Sequence, residues 1–89
     1  MNARSVEFEY ENEPVGRFTG FEPPASDGVY PYEPYRGPGH LHLQERLKES
    51  DASCSYSDAG KIVRFRVVAC PSYGMLQLSS FDTRVTGAK

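Results

Sequence analysis

The densest collection of chemically capable side chains lies between Asp27 and His40 (DGVYPYEPYRGPGH), where Tyr30, Tyr32, Tyr35, Arg36 and His40 stand among glycines and prolines. Tyrosine and arginine dominate binding hot spots, and a proline-braced segment loses little entropy on ordering. Arg36 beside Gly37 and Gly39 has the chemistry to hold a phosphate or carboxylate, with backbone amides assisting. His40-Leu41-His42 is the one histidine pair. On a strand, residues two apart share a side and could bind one metal ion; on a helix they diverge by about 200° and joint ligation fails. A metal site there would need a further ligand that no spacing rule selects, so no metal or other cofactor is expected.

A second feature is acidic. Glu7, Glu9, Glu11 and Glu13 alternate with other residues, and on a strand they would step along one face at about 6.6–6.8 Å, close to the roughly 7 Å between phosphates of one nucleic-acid strand. Such a strand could serve an inhibitor or immunity-type protein. Residues 1–35 hold seven acids and two bases, and residues 36–89 hold five acids and eight bases. Arg46, Lys48, Lys61, Arg64 and Arg66 could make a basic footprint, but a pI near 5.6 argues against nucleic acid as partner.

Nucleophilic catalysis has little to recommend it. Cys54 and Cys70 lack a thiolate-stabilising neighbour in sequence, and no serine sits in a nucleophile elbow. Two cysteines do not make a disulfide framework, so both are expected reduced. Asp27-Gly28-Val29-Tyr30-Pro31-Tyr32 is similar to a short segment of the small microbial guanyl-preferring ribonucleases. Those enzymes carry a glutamate and then a histidine late in the chain. Here no histidine follows His42, and no family is assigned on six residues.

The elements that must position these residues follow from pattern. The 89 residues, 38% hydrophobic with a net charge of -2, suit one folded domain, 1–89. Residues 5–11 alternate as a half-buried strand with Val6, Phe8 and Tyr10 on one face. Asn12-Glu13-Pro14 signals a turn, and Val15–Phe21 can return as a second strand in which Gly16 and Gly20 mark bulges or close approaches. Residues 22–39 read as a long Pro/Gly/Tyr-rich loop, because prolines 31, 34 and 38 oppose helix interiors and central strands. Residues 40–50 are the helix candidate, with His40, Leu43, Gln44 and Leu47 on one stripe. Ser53–Ser57 and Lys61–Cys70 read as a hairpin about Asp58-Ala59-Gly60, with Cys54 opposite Phe65 and with Val63, Phe65, Val67 and Ala69 toward the core. Met75–Phe81 is a further strand. Residues 1–4 and 83–89 are expected to fray.

The expected fold is α+β: a single antiparallel sheet of about five strands with one short helix on a face, in the order β-β-loop-α-β-β-β. The alternative is a small open β-barrel with one helix. Strand one is expected beside Lys61–Cys70, so that its glutamates meet Arg64 and Arg66. No apolar run reaches membrane-spanning length and no signal peptide is visible, so a cytoplasmic protein, monomer or homodimer, is expected. The function these features favour is a non-enzymatic binding protein. It would recognise a protein partner or a small anionic ligand through Tyr30, Tyr32, Tyr35, Arg36 and His40. The alternatives are a small hydrolase or nuclease-like enzyme using His40 or His42 with Arg36, and the inhibitor presenting Glu7, Glu9, Glu11 and Glu13.

Overall fold

The computed structural model describes residues 4–21 and 26–85; residues 1–3, 22–25 and 86–89, including most of the expected frayed ends, lie outside the described residues. Six strands and one helix follow in the order β1 (Arg4–Tyr10), β2 (Glu13–Phe21), β3 (Gly28–Pro34), α1 (Pro38–Leu47), β4 (Ala52–Asp58), β5 (Lys61–Ser72) and β6 (Met75–Val85). All pairings are antiparallel, and the strands close into a barrel in the order β1-β2-β3-β6-β5-β4. Two three-stranded meanders thus meet along both sides, with α1 as the link between them. The expected alternative, a small β-barrel with one helix, stands in place of the single five-stranded sheet, and the barrel is closed, not open. Closure is favoured because an open sheet leaves two edges of unpaired backbone, and here every strand has two neighbours.

Two hairpins form where the sequence signals them. Tyr10 pairs with Glu13 around Glu11 and Asn12 (φ 53° and 67°), and Asp58 pairs with Lys61 around Ala59 and Gly60 (φ 52° and 81°). Left-handed conformation at both central residues is the twist-matching two-residue turn. It sets the β4–β5 register, which places Cys54 opposite Phe65 as expected.

β3 corrects the long loop expected over 22–39. Its prolines are tolerated because of where their nitrogens point. The Tyr32 N–H donates to the Gly74 carbonyl at 2.8 Å, toward β6, and the Tyr35 N–H donates to the Val15 carbonyl at 3.0 Å, toward β2. Backbone groups alternate sides along a strand, so the Pro31 nitrogen faces β2 and the Pro34 nitrogen faces β6. The β2–β3 ladder ends at Phe18–Tyr32 and the β3–β6 ladder runs only from Gly28 to Pro31. Each proline therefore sits where no strand asks for its missing N–H.

Bulges bend the strands into the barrel. β2 carries an extra residue near Val15 and another between Phe18 and Phe21, which buries Val15, Gly16, Phe18 and Phe21 together. Gly16 approaches β3 so closely that a Cβ would lie 2.7 Å from the Glu33 carbonyl oxygen. In β6, Ser80 takes φ 59° and adds a residue between the pairs Arg66–Ser79 and Arg64–Asp82. Its N–H donates to the Asp27 carboxylate at 3.2 Å. The core is aromatic: Phe18 stacks on Phe8 at 4.4 Å and on Phe21 at 4.7 Å, and Phe65 and Tyr56 close the cluster. Val63, Phe65 and Val67 face inward as expected, whereas the bulge between Val67 and Ala69 leaves Ala69 only half-buried.

The helix begins two residues before the expected His40. Pro38 opens it, where a missing N–H costs nothing and φ is already helical. Gly39 and Leu43 are buried against the barrel. A Cβ on Gly39 would stand 3.0 Å from Val15 Cγ1, so glycine sets how closely α1 approaches β2.

The expected pairing of strand one with the Lys61–Cys70 strand is also corrected. Barrel closure places β4 beside β1, and the outer-face partner of Glu7 is Arg17 of β2. Arg17 in turn bonds Glu33 of β3 at 2.8 Å. Arg64 and Arg66 lie one strand further round, opposite Ser55 and Ser53.

Candidate functional site

The first-turn face of α1, the end of β3 and the β5–β6 turn converge at one end of the barrel. Tyr32 points inward and is 7% exposed. Its hydroxyl lies 3.0 Å from His40 Nε2, with the rings 6.0 Å apart. Burial pushes the Tyr32 phenol up to about 12 and the His40 imidazole down. The contact is therefore a neutral hydroxyl–imidazole pair, in which the hydroxyl donates to Nε2 when the ring proton sits on Nδ1. Such a pair clips the helix start to β3 and engages the nitrogen that a general base would use.

Above this pair lies a surface depression of 350 Å³ lined by Pro34, Tyr35, Arg36, Gly37, His40, Leu41 and Tyr73. Tyr35 is half-buried, and its phenol is raised by burial first and then by a hydrogen bond with Glu7. Arg36 is exposed, and among the described residues no carboxylate pairs with it. Leu41 and Tyr73 are 59% and 90% exposed. Leu41 also borders a larger groove of 680 Å³ between α1 and β5, lined by Gln44, Glu45, Leu47, Lys48, Val68, Ala69 and Cys70. Leu41 lines both depressions.

The five residues singled out in the sequence are thus divided. Tyr35, Arg36 and His40 line one depression, and Tyr32 supports it from below. Tyr30 does not join them: it lies further back along β3, packed on Phe21 at 5.1 Å, with its hydroxyl donating to the Ser26 carbonyl at 2.5 Å. The helix sends His40 and His42 apart, and His42 Nδ1 lies 3.9 Å from Glu13 Oε1. Among the described residues no group of three His, Cys, Asp or Glu side chains could hold a metal ion. The acidic run is also broken. Glu7 and Glu9 share the outer face of β1, Glu11 is in the turn, and Glu13 opens β2. Cys54 is buried, with its thiol raised to about 12 by desolvation, whereas Cys70 is exposed.

Tyr73 and Leu41 were not among the sequence candidates. Pro71-Ser72-Tyr73-Gly74 reads as a plain turn, and the available signal was a large aromatic at its tip, where a small polar residue would serve. Among the described residues no helix is long and apolar enough to cross a membrane. Compared with known proteins, the chain matches no family model, no curated protein and no solved structure.

Proposed function

We propose that this chain is a non-enzymatic binding protein whose recognition surface is the helix-bearing end of the barrel, and that its partner is a protein. The observation that carries this is the setting of Arg36. Two large apolar side chains, Leu41 and Tyr73, stand in solvent on the rim of the same depression as this cation. A barrel that buries Phe8, Phe18, Phe21 and Phe65 almost completely leaves these two outside, along with Val29 on β3, and an aromatic and an arginine are the usual anchors of an interface. The matching partner presents an apolar side chain to Leu41 and Tyr73 and a carboxylate, or a small anionic group, to Arg36. Tyr35 and His40 supply the walls, and the Tyr32–His40 bond keeps those walls fixed before binding.

Hydrolysis by His40 or His42 has less support, because one imidazole is engaged by Tyr32 and the other lies on a different helix face beside Glu13. The test is peptide display on the immobilised chain, followed by binding measurements on Tyr73→Ala, Leu41→Ala and Arg36→Ala. Selected ligands are expected to lose about tenfold or more in affinity on each variant, roughly 1.4 kcal/mol, with unchanged melting temperature. Ligands indifferent to all three substitutions would place recognition elsewhere.

A further inference from the structure

The barrel is not equally well sewn all the way round. β1 and β4 pair only through Phe8–Tyr56, Glu9–Ser55 and Tyr10–Cys54. Beyond Phe8 the described residues of the two strands have no ladder partners in one another, and a groove of 390 Å³ lies there, bordered by Ser5, Val6, Glu7, Glu9, Tyr56 and Ser57.

The direction of the backbone groups follows from the two hairpins. Tyr10–Glu13 and Asp58–Lys61 flank two-residue turns, so in each pair the residues exchange both hydrogen bonds. Even-numbered residues of β1 therefore face β2, and even-numbered residues of β4 face β5. Odd-numbered residues of both face the seam between β1 and β4. Glu9 and Ser55 satisfy one another there, but Ser5, Glu7 and Ser57 direct their N–H and C=O groups into the groove without a ladder partner. A half-open seam of this kind is a template for strand addition.

The side chains indicate what would add. Glu7 and Glu9 border the groove from the outer face, and among the described residues no lysine or arginine lines it. Arg17 stands opposite Glu7 on β2, away from the seam, and is bonded to Glu33, while Glu7 takes a hydrogen bond from Tyr35. Toward the interior the lining is Val6 and Tyr56. We infer that the β1–β4 seam binds an extended basic segment of another protein by strand addition. Its backbone would pair with Ser5, Glu7 and Ser57, its lysines or arginines would face Glu7 and Glu9, and small residues between them would pass over Val6 and Tyr56, which are already buried. This surface is separate from the barrel end carrying Tyr73 and Arg36, and the two proposals stand or fall independently.

The experiment titrates the full chain, isotope-labelled, with a short capped peptide alternating lysine and valine, at concentrations up to the millimolar range. Two control peptides are the glutamate–valine analogue and a lysine–valine peptide N-methylated on alternate residues, which cannot pair along one edge. The expected result is amide shifts and slowed hydrogen exchange at Ser5, Glu7 and Ser57, with neither control binding. Glu9→Lys should weaken binding about tenfold or more. Ser57→Pro removes an N–H on the seam side while leaving the β4–β5 ladder complete, and should abolish the slowed exchange with the fold intact. Tyr73→Ala should leave binding of the lysine–valine peptide unchanged. Equal binding of the N-methylated peptide, shifts confined to the barrel end, or no binding of the lysine–valine peptide would each overturn the inference.

Discussion

Replacing Gly16 with alanine isolates the contact that holds β3 against β2. An added Cβ would meet the Glu33 carbonyl oxygen at 2.7 Å, Tyr32 Cδ2 at 3.2 Å and the Pro34 Cα at 3.3 Å. Two of those atoms are backbone, so the strands must separate; no flexible side chain can simply turn aside. Overpacking of this kind costs about 1–3 kcal/mol. Gly16 has no left-handed φ, so alanine recovers about 0.4–1 kcal/mol by restricting the unfolded chain. The net loss expected is about 1–2 kcal/mol, or a fall of roughly 5–15 °C in melting temperature for a domain of this size. Gly20 is the internal control. It lies in the same strand, its nearest neighbour to an added Cβ is Pro31 Cγ at 3.8 Å, and its φ is likewise ordinary. Gly20→Ala should therefore hold stability or raise it by about 0.4–1 kcal/mol. Thermal and urea unfolding of both variants, fitted with a common m-value, measures the difference. Because Tyr32 lies on the displaced strand, the His40 ring resonances should also move in Gly16→Ala and not in Gly20→Ala. If Gly16→Ala proved as stable as Gly20→Ala, the close approach of β2 and β3 would be wrong.

Three further outcomes are expected. Phe18→Ala removes the ring that stacks on both Phe8 and Phe21 and should cost about 3–5 kcal/mol, enough that urea unfolding starts near zero denaturant. Burial lowers the His40 pKa in the fold, so between that value and the unfolded value of about 6.5 the unfolded chain binds the extra proton. Stability from this group is therefore present above about pH 6.5 and lost as pH falls below it, and His40→Gln should flatten that part of a stability-against-pH curve. A thiol reagent should modify Cys70 in the folded chain, and Cys54 only on unfolding. Intact mass after native labelling, showing one adduct against two, decides it.

The sequence by itself determined the local elements. Alternation in Val6, Phe8 and Tyr10, the Asp58–Lys61 turn and the inward set Val63, Phe65 and Val67 all appear where their patterns place them, because each depends on contacts between near neighbours in the chain. The helix expected over 40–50 does too in part: it runs Pro38–Leu47, its start hidden by a cap that no side chain makes and its strand-or-helix ambiguity at His40–Leu43 settled only by packing on the barrel. β3 was illegible, since prolines at 31 and 34 oppose a strand unless one knows which neighbour each nitrogen faces, and that is fixed only by pairing with β2 and β6. The same holds for the candidate site. Tyr30 and Tyr35 are near in sequence and apart in space, whereas Tyr73 lines the same depression as Arg36 only because β6 returns beside β3. Barrel closure, which sets β4 and not β5 against β1, redirected Glu7 to Arg17 and left the β1–β4 seam half open. Those choices rest on bulges at Val15, Val68 and Ser80 and on edge satisfaction around the whole barrel. Both are sums over long-range contacts that no local pattern records.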